Sequence, residues 1–188
     1  MHTLIVMALE SEAQGRFERE PVLFTGVGKV NAAYRLTRRL AEERALGRRP
    51  LVLNFGTAGS RRHKAGSVVA CTRFVQRDMD VRELGFAHGE TPFEQVPREL
   101  NFEPTFHDLT HGLCASGDSF ETLDHSSEWD VIDMEAYALA KICHFEGVPF
   151  ACAKFITDGA DANASSDWQA NLPRAADAFL KLYQRLRG

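Results

Sequence analysis

The chain has 188 residues, of which 44% are hydrophobic and 26% are charged, and its formal net charge is −4. This length is enough for one domain with a substantial core, so we expect residues 1–188 to form a single domain. The acidic balance argues against a protein that binds nucleic acid or an anionic membrane, because both need a basic surface. No apolar run approaches the roughly 20 residues that span a bilayer, and the opening MHTLIVMALESEA turns acidic too early for a signal peptide.

The predicted elements alternate between strand and helix along the chain. In chain order, the pattern predicts a strand at Thr3–Ala8, a short run at Val22–Phe24 before a glycine turn, a helix at Asn31–Glu43, strands at Leu51–Phe55 and Ser67–Val75, irregular structure over 77–104, a strand at Gly112–Ala115, a helix at Val131–Phe145, a strand at Val148–Ile156 and a helix at Leu172–Leu186. Wholly apolar strands separated by helices indicate an α/β fold in which helices cover both faces of the sheet.

The four cysteines, Cys71, Cys114, Cys143 and Cys152, show no C-x-x-C spacing and lie among apolar or small residues. We therefore expect buried, reduced thiols and a cytoplasmic protein without a disulfide framework. His107 and His111 are four residues apart, but no third ligand is evident, so a metal site is not favoured.

Candidate site residues follow the predicted strands, because ligands bind beyond the carboxyl ends of strands in α/β sheets. These residues are Glu10–Glu12, Gly26–Lys29, Gly56–Gly59, Gly117–Phe120 and Thr157–Asp158, and Met134 and Glu135 could join them from the start of a helix. Acidic residues, glycines, hydroxyls and an aromatic ring suit the binding of a polyhydroxylated ring and acid/base chemistry.

Each of these signals has a simpler explanation when it is taken alone. TGVGK lacks the spacing of a P-loop, so a tight strand-to-helix turn is favoured over a phosphate cradle. The small residues of NFGTAGS fit close helix–strand packing as well as close approach to a ligand. Glu12 and Glu135 could be surface charges, and Asp158 could be a helix N-cap.

Taken in order, eight segments resemble the purine nucleoside phosphorylase/nucleosidase superfamily, and within it the 5'-methylthioadenosine/S-adenosylhomocysteine nucleosidases. The segments are ALESEA, TGVGKVNAA, LNFGTAG, KAGSVV, DMDV with LGF, GLCASGDSF, VIDMEAYALAKICHFEGVPF and KFITDGAD. They span nearly the whole chain, and DMEA followed about two dozen residues later by ITD is the most specific pair.

The resemblance implies a three-layer α/β/α fold around a mixed, partly barrel-like sheet, a homodimer, and hydrolysis of a purine nucleoside by water without a metal or other cofactor. It assigns two residues to catalysis: Asp158 protonates N7 of the leaving purine, and Glu12 activates water. Around the sugar, Glu135 binds the ribose hydroxyls, Met134 packs on the sugar, and Thr57 lies near the sugar and the water. Phe120 stacks on the base. Asp158 must then be protonated at neutral pH, so we expect its pKa to lie above the ordinary value of about 3.9.

The resemblance also implies an apolar pocket for the 5' substituent, formed by Leu9 and Val27 together with Leu84 and Pro92 of the partner subunit. Such a wall favours a methylthio or deoxy group, because a phosphate there would have no hydrogen-bond partners.

The chain departs from the family pattern in three places. Glu121 stands where an aliphatic residue is usual, and Lys154 replaces a usual arginine, which removes a planar fork of donors. The chain is also shorter than its relatives between Glu12 and Val22 and between Phe120 and Asp133. Substrate identity is therefore more open than reaction class, and three alternatives remain: a phosphorylase, a futalosine-type hydrolase, and a non-catalytic nucleoside-binding protein.

Overall fold

A computed structural model describes residues 2–119, 129–158 and 164–188, without the side chains of Asp158 and of residues 164–167. The strands are β1 (Thr3–Met7), β2 (Val22–Phe24), β3 (Leu51–Gly59), β4 (Val68–Gln76), β5 (Leu100–Asn101), β6 (Thr110–Ser116), β7 (Val131–Asp133) and β8 (Phe150–Asp158). The helices are α1 (Glu10–Ala13), α2 (Lys29–Ala45), α3 (Ala136–Glu146) and α4 (Ala164–Arg187), with a 3₁₀ turn at Arg82–Leu84.

The sheet is mixed and closes on itself. Strands β2, β1 and β3 are parallel neighbours, and β8 runs parallel to β3. The ring is completed because β8 pairs antiparallel with β4, β4 and β6 are parallel, β6 and β7 are parallel, and β7 returns antiparallel to β3. The expected mixed, partly barrel-like α/β fold is confirmed.

Helices cover both sides of this sheet because successive strand residues point to opposite faces. In β1, Leu4 and Val6 belong to the apolar cluster that includes α2 and α3, whereas Ile5 and Met7 belong to the cluster that includes α4. On the α4 side, the ring of Phe179 stacks on that of Phe55 with centroids 5.0 Å apart. This arrangement gives the three layers.

One predicted helix was wrong at its start. Val131–Asp133 forms β7, and the helix begins at Ala136. Three consecutive buried apolar or polar residues fit a buried strand as well as a helix, and pairing with β6 and β3 decides for the strand. Residues 77–104 are largely irregular, as expected, apart from the 3₁₀ turn and β5.

All four cysteines are buried and free. Within residues 2–119, 129–158 and 164–188, no helix is both long and apolar enough to cross a membrane.

Candidate active site

Glu12 is a buried carboxylate directly beyond the carboxyl end of β1. Its Oε2 accepts hydrogen bonds from the backbone N–H groups of Ala8 (3.1 Å) and Leu9 (3.2 Å). Its Oε1 accepts from both the N–H and the hydroxyl of Thr57, each at 2.8 Å. Only 4% of Glu12 is exposed. The alternative that Glu12 is a surface charge is therefore wrong, and the side chain is fixed by the strand ends themselves.

The hydroxyl of Thr57 has its orientation set by a residue that sequence reasoning missed. The indole Nε1 of Trp168, in α4, donates to Thr57 Oγ1 at 2.9 Å. Because the indole N–H can only donate, the Thr57 hydroxyl proton is directed to Glu12. No local pattern in the sequence indicated this contact, since 111 residues separate the two side chains.

Glu135 immediately precedes α3 and is 8% exposed. Its Oε1 accepts a hydrogen bond of 2.8 Å from the backbone N–H of Gly28, in the TGVGK turn. Burial, together with the negative charge of Asp133, raises the pKa of Glu135 to about 8, although Lys154 and the Gly28 N–H act in the opposite direction. Glu135 is therefore mainly protonated at neutral pH.

A buried ion pair lies beside these carboxyl groups. Lys154 Nζ is 2.8 Å from Asp133 Oδ2, and both side chains are nearly inaccessible. Burial raises the pKa of Asp133, but Lys154 and the hydrogen bonds from Ser116 Oγ (2.5 Å) and Ala136 N–H (2.8 Å) outweigh it and hold the pKa below its ordinary value. Although burial lowers the pKa of Lys154, Asp133 raises it well above its ordinary value, so the lysine stays charged.

Gly56 leaves room for two of these groups at once. A Cβ at this position would lie 2.9 Å from Lys154 Nζ and 3.5 Å from Glu12 Oε1. The sequence left open whether NFGTAGS serves packing or a ligand. Because Gly56 has no side chain, there is space at this position for the Lys154 ammonium group and the Glu12 carboxylate.

The TGVGK segment is a tight turn into α2, as favoured from the sequence, and Gly26 and Gly28 have φ values of 79° and 94°. Its lysine is engaged by two carboxylates. Lys29 Nζ lies 2.5 Å from Asp78 Oδ2 and 3.1 Å from Asp118 Oδ2. Asp118 Oδ1 also accepts a hydrogen bond from the Lys29 backbone N–H at 2.8 Å.

A surface cavity of about 270 Å³ lies against this turn. Its lining residues are Val27, Gly28, Val30, Asn31, Asp118 and Met134. Two residues predicted to contact the sugar or its 5' substituent, Val27 and Met134, thus line one cavity. Glu135 is linked to it by the hydrogen bond from Gly28.

The remaining predicted residues divide into three groups. The backbone of Asp158 pairs with Gly59 at the end of β8, which places it at the same end of the sheet as Thr57. Leu9 is partly exposed just before α1, Leu84 is 69% exposed, and Pro92 is partly exposed in the irregular segment. Phe120 and Glu121 lie outside the described residues.

The arrangement suits acid/base chemistry on a sugar. Glu12 offers a carboxylate with fixed geometry, and Glu135 offers a carboxyl group that titrates close to neutral pH. Across the described ranges, no group of three or more His, Cys, Asp or Glu side chains is placed to hold a metal ion.

The mixed closed sheet and the carboxyl groups at its strand ends define a nucleoside phosphorylase/nucleosidase type of protein. The family model described as "Phosphorylase superfamily" matches residues 13–186. The chain therefore belongs to the phosphorylase superfamily.

More particular relatives are nucleosidases. The chain is 31% identical over 176 residues to the 5'-methylthioadenosine/S-adenosylhomocysteine nucleosidase of Haemophilus influenzae (strain PittEE), covering 82% of this chain and 75% of the relative. The structure of the same kind of enzyme from Neisseria meningitidis, in complex with methylthio-immucillin-A, gives a TM-score of 0.83 at 26% identity and covers 98% of this chain and 97% of that one. A futalosine hydrolase of Helicobacter pylori shares the fold, with a TM-score of 0.86 at 20% identity over 99% of this chain and 97% of that one.

Proposed function

We propose that the chain hydrolyses the N-glycosidic bond of a purine nucleoside with an apolar 5' substituent, such as 5'-methylthioadenosine or S-adenosylhomocysteine, and releases the free base. Its nucleosidase relatives support this reaction class. The observation that carries the proposal is the buried Glu12 carboxylate, which is held by Thr57 and two N–H groups at the strand ends where Glu135 also lies.

In the proposed reaction, Asp158 donates a proton to N7 of the purine as the glycosidic bond breaks. The sugar becomes cationic, as in glycoside hydrolysis, and the carboxylates beside it stabilise that charge. Glu12 takes the proton of the water that attacks the anomeric carbon. Thr57 fixes the orientation of the Glu12 carboxylate for this step, because its N–H and hydroxyl both donate to Oε1.

We propose that the other site residues bind the substrate. Glu135 accepts hydrogen bonds from the ribose hydroxyls, Met134 packs on the sugar, Phe120 stacks on the base, and Glu121 lies at the base edge, where its carboxylate affects the choice of base. No cofactor takes part in this scheme.

We further propose a homodimer in which Leu84 and Pro92 of the partner subunit complete the 5' pocket begun by Leu9 and Val27. Several large apolar side chains support an interface, because they are exposed on the single chain: Val30 (79%), Tyr34 (56%), Leu84 (69%) and Phe93 (92%).

We place the protein in the cytoplasm, which agrees with its free, buried thiols.

A panel of 5'-substituted purine nucleosides, scored for free base with and without phosphate, tests the proposal. We expect base release without phosphate and a preference for apolar 5' groups. Strict dependence on phosphate would instead identify a phosphorylase, preference for futalosine would identify the other hydrolase, and binding without any base release would identify a non-catalytic protein.

Two variants test the assigned roles. Asp158→Asn and Glu12→Gln should each lower the rate of base release by about 10²- to 10⁴-fold, the usual contribution of a general acid or base, with an unchanged circular dichroism spectrum. Glu10→Gln is the matched control, because Glu10 is an exposed carboxylate on the same short helix. Full activity of either site variant would contradict its assignment.

A further inference from the structure

The charges around the TGVGK turn suggest how the site discriminates against anions. This turn presents Lys29 and the first N–H groups of the 17-residue helix α2, and such groups attract anions. Here they already bind protein carboxylates: Asp118 takes the Lys29 N–H through Oδ1, and both Asp78 and Asp118 contact the ammonium group.

The three side chains form a connected cluster, which we call the Lys29 cluster (Lys29, Asp78 and Asp118). The backbone N–H of Asp118 donates to Asp78 Oδ2 at 2.9 Å, which ties the two acidic segments together. Burial raises the pKa of Asp78, but the hydrogen bonds from Lys29 and the Asp118 N–H outweigh it and hold the pKa below its ordinary value. The Lys29 side chain is only 14% exposed, and its ammonium group contacts both carboxylates.

This cluster borders the proposed substrate site. Asp118 lines the same cavity as Val27 and Met134, and the adjoining Gly28 donates its N–H to Glu135. A Cβ on Gly28 would lie 3.1 Å from Asp118 Oδ1, so the turn and the Asp118 carboxylate are in close contact. The cluster holds two carboxylates against one ammonium group, so its excess charge is negative at the edge of the cavity.

We propose that Asp78 and Asp118 are specificity-determining residues that occupy the anion-attracting groups of the turn and so prevent phosphate from binding beside the sugar. This inference rests on the proposed hydrolysis, in which water and not phosphate is the nucleophile. An approaching phosphate would have to displace both carboxylates from Lys29, and it would meet their negative charge at the cavity edge.

The test is phosphate binding by isothermal titration calorimetry, which needs no turnover. The wild-type chain should give no phosphate binding, whereas the double variant Asp78→Asn with Asp118→Asn should gain it, because Lys29 loses both counter-charges. Adding Lys29→Met to the double variant should abolish the gain. In the nucleosidase assay, added phosphate should change the rate of base release only in the double variant, because only there does phosphate bind beside the sugar.

Asp80→Asn is the matched control, because it removes a carboxylate of the same segment. The partner of Asp80 is the exposed Arg82, 2.6 Å away, and not Lys29. This variant should bind phosphate no better than wild type. If the double variant does not fold, each single variant should show a smaller gain. The proposal is overturned if the variants bind phosphate no better than wild type, if wild type binds it equally well, or if binding survives Lys29→Met. A chain that binds no phosphate yet releases no base would refute the proposed function alone.

Discussion

Glu135→Gln tests the electrostatics of the site in the absence of substrate. Glu135 is 8% exposed and has a pKa of about 8 in the folded chain, against an ordinary value of 4.5. Between these two values the unfolded chain has lost the Glu135 proton while the folded chain keeps it. Rising pH therefore favours the unfolded state. The stability that comes from keeping the Glu135 proton is complete below the pKa of the unfolded chain and is lost as pH rises through the pKa of the folded chain.

The size of the effect follows from the two pKa values. One pKa unit corresponds to about 1.36 kcal/mol, so a change from 4.5 to about 8 amounts to at most roughly 5 kcal/mol. Glutamine cannot ionise, and its side-chain oxygen can still accept the N–H of Gly28. The free energy of unfolding of Glu135→Gln, relative to wild type, should therefore increase by a few kcal/mol from pH 5 to pH 9, within that limit of about 5 kcal/mol.

Urea unfolding of the unliganded protein, followed by circular dichroism at a series of pH values and a fixed protein concentration, measures this difference. Glu42→Gln is the control, because Glu42 is exposed on α2 and should give a difference that hardly changes with pH. A flat difference for Glu135→Gln would show that the pKa of Glu135 is not raised in the folded protein, and the argument from burial would then be wrong.

Three further substitutions probe the neighbours of Glu12. Trp168→Phe removes the indole N–H that orients the Thr57 hydroxyl, so kcat should fall several-fold with little change in KM in steady-state assays of base release. Gly56→Ala places a methyl group 2.9 Å from Lys154 Nζ. The rate of base release should therefore fall strongly, while the melting temperature changes little. Lys154→Met leaves the Asp133 carboxylate buried without its counter-charge and should cost about 3–5 kcal/mol in urea unfolding, part of which Asp133→Leu should restore without restoring activity.

The sequence predicted several segments that carry candidate site residues, because they follow strands whose carboxyl ends converge. Glu12 and Thr57 were found in this way, whereas Glu135 was added from the start of a predicted helix, and the structure joins Glu12 directly to Thr57. The strand Val131–Asp133 was not predicted, because its assignment depends on pairing with two distant strands.

The supporting contacts could not be predicted for the same physical reason. Lys154 was recognised as a departure from the family pattern, but its partner Asp133 comes within 2.8 Å only because β7 and β8 both pair with β3. Trp168 contacts Thr57 from α4, and the two residues are 111 positions apart in the sequence. Contacts of this kind depend on how the sheet closes, which local periodicity does not encode.

The charge balance of the site explains why a buried lysine belongs among carboxyl groups. Among the described residues, the Lys154 ammonium pairs with the Asp133 carboxylate, and Glu135 is mainly protonated at neutral pH because its pKa is about 8. In the proposed complex the ribose hydroxyls donate to Glu135 and thereby favour its ionised form. A negative charge then appears beside the sugar at the stage when the sugar becomes cationic. Glu135 would thus be uncharged when no substrate is bound, which avoids the cost of a buried charge, and would stabilise the sugar cation in the proposed complex.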